Sequence, residues 1–408
     1  MYDRFLSIVL YLHKYNNLES RIYNSNNNMK ILLLGEYSRL HNSLKEGLVS
    51  LGHEVILIGC GDKFKQFPVD YSIYAKVCNN NKIANFLFKS VRKVTSFDFE
   101  KIEKAIRFYL LIPKLNNFDH VQLINSDALE TYPILSRFIY KNLFAKIKSR
   151  SLLICGDETP VIDHLLKEEI KYSILTPYLE DKSLKEEFNF PLKYITSSYR
   201  KTFNWLTENC QNLITSDLDY EIPMQKMGLK TTFIPNPINT DKIVYSPLKI
   251  EDKITIFLGI NRLSYLKKGI PFFEKAVAII QEKYPEKVEI IITENIPYNE
   301  YISIYNKAHI LLDQVYAYDQ GYNALEAMTK GKVVFTGAEN EFLQHYNLKV
   351  NEVCINALPD VNDIVKQLSL LIESPNLIQD ISIRAKAFIE KEHHYKTIAS
   401  TYSKTWEV

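Results

Sequence analysis

Short apolar runs alternate with helically spaced segments along almost the whole chain, and this alternation restricts the fold more than any other feature. Residues 30–34 (KILLL) form a continuous apolar run ended by Gly35, as in a central parallel strand buried on both faces. Leu44, Leu48 and Leu51 then fall on one side of a helix over 42–51, and Gly52-His53 turn the chain into a second strand over 54–58. Further strands are expected at 121–124, 152–155, 212–215 and 232–234, with helical stretches between them. Pro235, Pro237 and Pro247 break regular structure and place a linker at about 236–250. A second series follows: strand 254–259, helix 270–283, strand 288–293, helix 299–308 and strand 310–314. The pattern predicts an α/β protein with two doubly wound domains in series, without a clear sequence repeat, and a helical tail over 376–406.

Composition bounds the function. A chain of 408 residues fits two cores better than one. A formal net charge of +2 carries no global nucleic-acid signature. Cys60, Cys78, Cys155, Cys210 and Cys354 are scattered, odd in number and free of CxxC pairs, which argues against a zinc or disulfide framework and for a reducing compartment. No apolar run reaches the roughly 20 residues needed to span a bilayer. Residues 5–12 are apolar, but the preceding MYDR has no net positive charge and no small-residue cleavage site follows. Residues 1–28 read as a poorly structured extension, with Met29 as the working start.

Two stretches are basic and aromatic. Residues 131–156 lack Asp and Glu but carry Arg137, Lys141, Lys146, Lys148 and Arg150 among Phe138, Tyr140 and Phe144. Residues 82–107 hold Phe86, Phe88, Phe97 and Phe99 among basic residues, with some acids. Each suits either an anionic membrane surface or an ordinary helix with a buried aromatic face.

Residues 318–337, YDQGYNALEAMTKGKVVFTG, read as a loop, a short helix and a strand. Gly321 permits close approach of backbone to a ligand. Asn323 is a good N-cap with Glu326 three residues later, as in a capping box. Gly331 stops the helix, and 332–335 read as a buried strand. A helix N-terminus suits phosphate, and a carboxylate in its first turn can grip a ribose diol. On the residues alone, Glu326 is either a cap or a ligand group.

LEAM at 325–328 and GKVV at 331–334 resemble the nucleotide-sugar signature of GT-B glycosyltransferases, especially retaining enzymes of glycosyltransferase family 4. IPNPI with the following Asn239, and FLGINRLSYLKKG at 257–269, add to the resemblance, which covers most of 29–408. It implies a GT-B fold: two Rossmann-like domains facing a cleft, an acceptor domain over 29–240 and a nucleotide-sugar domain over 250–385. A final helix over 386–408 would cross back to the first domain, anchored by Trp406. The implied reaction moves a sugar from a nucleotide-diphosphate sugar to an acceptor hydroxyl with retention of configuration, in surface polysaccharide biosynthesis. The implied acceptor is a saccharide or a lipid-linked molecule, with no cofactor, no metal and no nucleic acid. The implied location is cytoplasmic, or peripheral at the inner membrane face. The family pattern has two glutamates eight positions apart; Glu326 takes the second place and Tyr318 the first, with Asp319 one position off as a substitute. That departure keeps two other classes open: a catalytically silent GT-B-like binding or scaffold protein, and a GT-B epimerase or hydrolase.

Arg262, Lys267 and Lys268 follow the first strand of the second domain, where a diphosphate would sit, or form a solvated basic loop. Gly321, Tyr322, Asn323, Asp319 and Glu294 complete the expected donor site, with Glu294 near the base. In the first domain Gly35 opens the cleft loop, and His41 is expected to face the cleft as a catalytic candidate. Asp157 or Glu158 would orient the acceptor hydroxyl or take its proton, or else favour a helix dipole, with Thr159 as N-cap. Asp127 carries the same ambiguity, His164 reads as structural, and Glu339 and Glu341 are placed to approach the donor. No HxxxH, HExxH or carboxylate cluster points to a metal.

Overall fold

The computed structural model describes residues 28–407 apart from 62–66, 96, 251 and 297, so residues 1–27 of the expected extension lie outside it. The first series of apolar runs builds a seven-stranded sheet in which every pairing is parallel. Its strands are β1 (Lys30–Leu34), β2 (Glu54–Gly59), β3 (Tyr71–Ser72), β4 (His120–Leu123), β5 (Ser149–Ile154), β6 (Asn212–Thr215) and β7 (Thr232–Phe233). Their order is β3-β2-β1-β4-β5-β6-β7. β1 lies at the centre, with Leu32 opposite Ile56 on one side and Val121 on the other, and Ile31 to Leu34 are fully buried. This is why its sequence is a continuous apolar run rather than an alternating one.

The second series builds a five-stranded parallel sheet of β8 (Ile254–Ile260), β9 (Val288–Glu294), β10 (Ile310–Leu312), β11 (Val333–Thr336) and β12 (Ile355–Asn356), ordered β12-β11-β10-β8-β9. The expected strand over 310–314 stops at Leu312, although Asp313 N still donates to Phe335 O of β11 at 2.9 Å.

Each sheet reverses its strand order at one point, between β1 and β4 and between β8 and β10. Crevices for ligands open at such points, beyond the strand C-termini. A glycine holds each one tight. Gly35 has φ 84°, and a Cβ there would stand 2.4 Å from Ile124 Cγ2 in the loop after β4. Gly269 has φ 65°, and a Cβ there would stand 2.1 Å from Val315 Cγ2 in the loop after β10.

The chain ends with helices Pro375–Glu392 and Tyr395–Trp406, and the last one crosses onto the first sheet. It packs against helix Leu40–Ser50, where a Cβ on Gly47 would lie 2.5 Å from Tyr395 O. Trp406 stacks on His120 with ring centroids 4.3 Å apart, and Ser149 Oγ donates to Trp406 O at 3.3 Å. The IPNPI segment meets the start of this crossing: Ile238 N donates to His393 O (2.7 Å) and Tyr395 N to Ile238 O (3.1 Å). The basic stretch over 131–156 forms helix Pro133–Phe144 and strand β5. Ser136, Ile139, Tyr140, Leu143 and Phe144 are buried, as in an ordinary helix with an aromatic inner face, while Ile134 and Phe138 stay exposed.

Candidate functional site

The second-domain wall grows from the loops after β8 and β10. Asn261 accepts from Leu263 N at 3.0 Å and shapes a tight turn over Arg262–Ser264. The chain then reaches Gly269, the N-cap of helix Ile270–Lys283. Lys268 Nζ donates to Asp313 Oδ1 at 2.7 Å, and Asn323 Nδ2 donates to the same oxygen at 2.9 Å. Asp313 thus ties the basic loop to the first turn of helix Tyr322–Thr329. Its other oxygen, Oδ2, is buried and has no hydrogen-bond partner among the described residues, as expected where a ligand or water completes a site.

The helix start differs from expectation. Gly321, not Asn323, is the N-cap, so no capping box forms and Glu326 sits a full turn inside the helix. Tertiary contacts win over local capping: Tyr322 OH donates to Pro237 O at 2.9 Å and also bonds Ser43, which fixes the first turn two residues early. Glu326 is half-buried beside Tyr322 and Lys330, and its charge acts on both. Gly321 has an ordinary φ of −69°, and a Cβ there would meet only Gln314 Nε2 at 3.7 Å, so the protein itself leaves room at this point.

Two expected donor groups pair with each other. Arg262 Nε donates to Glu294 Oε1 at 2.7 Å, and the second arm of the guanidinium reaches Oε2. Both side chains are nearly half exposed, 48% and 43%, so the pair is weakly held and exchangeable. Lys267 turns the other way, across to the first domain, with Nζ 3.8 Å from Asp157 Oδ2.

Asp319 is not a stand-in for the missing glutamate. Its Oδ2 accepts from Leu218 N at 3.2 Å and its Oδ1 from Gln320 N at 2.7 Å, so the buried carboxylate is consumed by backbone. Asp219 returns the bond between domains, accepting from Tyr318 N at 2.9 Å and Asp319 N at 3.2 Å. Asp217, buried like Asp319, completes a trio with the partly buried Asp219. Burial and mutual repulsion push the Asp217 carboxyl well up, that of Asp219 to about 7 and that of Asp319 to about 6 by burial. Tyr318, in the first glutamate's place, accepts from Lys171 N at 3.1 Å and packs against Tyr172 with centroids 5.6 Å apart. Glu339 is similarly enclosed. It accepts from Tyr172 OH, from Asn356 Nδ2 at 3.0 Å and from Lys171 Nζ at 3.3 Å. Burial would raise its carboxyl, but these partners outweigh burial and hold it low.

On the first-domain wall, His41 is a core residue and does not face the cleft. Gly35 O and Gln122 Nε2 lie 2.7 and 3.2 Å from its two ring nitrogens, and burial pushes it down to about 4. It is a neutral link between β1's end and β4. Glu158 is also occupied. It, and not Thr159, caps helix Thr159–Leu165, accepting from Thr159 N (3.0 Å), Ser126 N (2.8 Å) and Ser126 Oγ (2.7 Å). Asp157 follows Gly156, whose φ is 86° and where a Cβ would meet nothing within 4 Å. Burial raises the Asp157 carboxyl, and Lys267 and Lys193 oppose that. Asp127 accepts from Lys193 Nζ at 2.8 Å, and Lys193 rests 3.9 Å from the Phe190 ring centroid. Lys267 lies 5.5 Å from the same ring.

Asp157, Asp127, Lys193, Phe190 and Lys267 therefore form one charged and aromatic group between the domains. Lys193, Phe190 and Asp313 escaped sequence reasoning. Asp313 alone carried a signal, as a carboxylate at the end of an apolar strand. Among the described residues, no group of three His, Cys, Asp or Glu side chains is arranged to hold a metal ion.

Residues 264–404 match the family model described as glycosyl transferase-like. A search of curated proteins returned no match. Solved structures match along nearly the whole chain. Sucrose-phosphate synthase from Thermosynechococcus elongatus is 13% identical over 93% of this chain and 98% of its own, with a TM-score of 0.60. Anabaena HepE, solved with UDP and glucose, is 11% identical over 93% and 100%, with a TM-score of 0.58. Staphylococcus aureus TarM, solved with UDP and alpha-GlcNAc-glycerol, is 9% identical over 94% and 100%, with a TM-score of 0.58. At such identities the likeness establishes the fold, two facing Rossmann-like domains of GT-B type.

Proposed function

We propose that this chain, a GT-B protein whose C-terminal part matches a glycosyl transferase-like family, moves a sugar from a nucleotide-diphosphate sugar to an acceptor hydroxyl. The convergence of Lys268 and Asn323 on Asp313 at the switch point of the second sheet carries this reading. It sets a cation and a helix start side by side, where a diphosphate is best held. In this reading Arg262 exchanges Glu294 for phosphate, since one guanidinium fork serves either anion. Glu326 takes the ribose hydroxyls. The departing nucleoside diphosphate gains charge in the transition state, so Arg262 and Lys268 assist reaction as well as binding. That cationic set supplies the charge that a metal would otherwise supply, and chelator is expected to leave the rate unchanged.

Asp157 is the proposed group on the acceptor, orienting its hydroxyl or taking its proton, with Phe190 beside it as an apolar face for a sugar ring. The proposed outcome is retention of configuration. The proposed setting is surface polysaccharide assembly on a saccharide or lipid-linked acceptor, in the cytoplasm or at the inner membrane face. Five free cysteines suit that compartment. UDP-sugars are the first donors to try, because HepE and TarM were solved with UDP.

The enclosure of Tyr318 and Asp319 favours a second reading, a GT-B protein that binds nucleotide sugar without turning it over. Acceptor-dependent release of nucleoside diphosphate separates the two. Lys268→Ala is expected to raise the donor KM about 10- to 100-fold, the worth of a hydrogen bond to a charged group. Asp157→Asn is expected to lower kcat by about 10²- to 10⁴-fold at unchanged donor KM. Tight nucleotide binding by the wild type with no acceptor-dependent release supports the binding protein and removes the transferase.

A further inference from the structure

Helix Lys82–Thr95 turns an apolar surface to solvent. Phe86 is 72% exposed, Leu87 54%, Val91 37% and Val94 85%. With 3.6 residues per turn these four share one arc of about 140°. The opposite side of the helix is the one that docks on the protein. There Phe88 stacks on Phe99 at 4.5 Å, Asn85 Nδ2 donates to Asn79 O at 3.3 Å, and Arg92 pairs with Asp98 at 3.2 Å. Lys82, Lys89 and Lys93 form a single row along one edge of the apolar arc, between it and the docked side. Residues 71–97 contain no Asp or Glu at all.

Charge selects the occupant. A second copy would bring the same lysine row against itself. Residues 1–28 carry Arg4, Lys14 and Arg21 against Asp3 and Glu19, so they offer no acidic excess. An anionic bilayer meets both demands at once, because its acyl boundary takes the aromatic and aliphatic side chains while its phosphates face the lysines. We propose that this helix lies in the interfacial plane of an anionic membrane, with Phe86, Leu87, Val91 and Val94 inserted and Lys82, Lys89 and Lys93 on the headgroups. The helix rests on the membrane rather than crossing it, since among the described residues no helix is long and apolar enough to span. The inference stands apart from the transferase reading, and its test needs no activity.

The test is co-sedimentation of the full chain with vesicles of phosphatidylcholine alone or with about 30 mol% phosphatidylglycerol. Binding is expected only to the anionic vesicles, and it should weaken as salt rises. The triple variant Lys82→Glu, Lys89→Glu, Lys93→Glu should lose about 100-fold or more, at about five-fold per neutralised contact. Phe86→Ser with Val94→Ser should lose at least about ten-fold on the same vesicles. These side chains face solvent, so both variants should keep the wild-type melting temperature. No binding to anionic vesicles, equal binding to both compositions, or wild-type binding by either variant overturns the proposal. So does a dimer in ultracentrifugation that Phe86→Ser with Val94→Ser dissociates, which assigns the arc to a second copy.

Discussion

Asp157 and Glu158 are neighbours in sequence with opposite fates. Glu158 is saturated by Ser126 and Thr159, whereas Asp157 meets Lys267 across the interdomain space. Glu158→Ala strands three buried donors and is expected to cost about 3 kcal/mol or more in urea denaturation. Asp157→Asn should leave stability within about 0.5 kcal/mol, because no backbone group depends on it. Equal losses at both positions would contradict this division. Sequence offered both acids and could not choose, because the choice depends on which loop packs against them. It misplaced His41 for a related reason: a lone histidine after a strand looks the same whether it faces a cleft or bridges Gly35 O and Gln122. Lys193 and Phe190 gave no local signal, since they lie in two short helical turns, Asn189–Leu192 and Lys193–Ile195, brought to the site only by tertiary packing.

At the scale of elements, hydrophobic periodicity was enough where burial decides the structure. Helix Ile270–Lys283 and strand Asn212–Thr215 run over the residues their apolar pattern predicts. The start of helix Tyr322–Thr329 was misread because capping preferences describe an isolated helix, and the anchoring of Tyr322 on Pro237 overrides them. The two switch-point glycines make the sharpest element-scale prediction. Gly269→Ala combines a left-handed backbone with a Cβ 2.1 Å from Val315 Cγ2. It is expected to cost about 1–3 kcal/mol from overpacking and to raise donor KM, because the displaced loop carries Lys268. Gly321→Ala, with free space beside it, should be near neutral for stability, and any loss there should appear in donor binding alone. Denaturation and nucleotide titration of the two variants check both.

The whole molecule is held by seams between its halves. One is the crossing helix, and Trp406→Ala is expected to cost about 3–5 kcal/mol by removing the ring stacked on His120. Another is the carboxylate trio. Asp217, Asp219 and Asp319 have folded pKa values above the carboxylate range, about 7 for Asp219 and about 6 for Asp319. Between pH 4 and pH 7, roughly, the folded state therefore holds more protons than the unfolded one, and stability from this seam falls as pH rises through that window. Asp217→Asn keeps a capping side chain and removes one titrating carboxyl. Its melting temperature should match the wild type at pH 5 and exceed it at pH 8, and parallel pH profiles would contradict the assignment. The two-domain plan was legible from alternation and prolines. These seams were not, because each joins residues on the order of 100 positions apart in one buried network.

The central claim is that the Lys268–Asp313–Asn323 crevice holds a nucleotide-diphosphate sugar with Glu326 on its ribose. The most direct test is the melting temperature of the wild type and of Glu326→Gln against a panel of UDP-, GDP-, ADP-, CMP- and dTDP-sugars, since ligand binding to the folded state raises apparent stability by mass action. The account predicts that one nucleotide class stabilises the wild type clearly, and that Glu326→Gln melts at the wild-type temperature but loses most of that stabilisation. No shift with any nucleotide, or the same shift in both proteins, would contradict it.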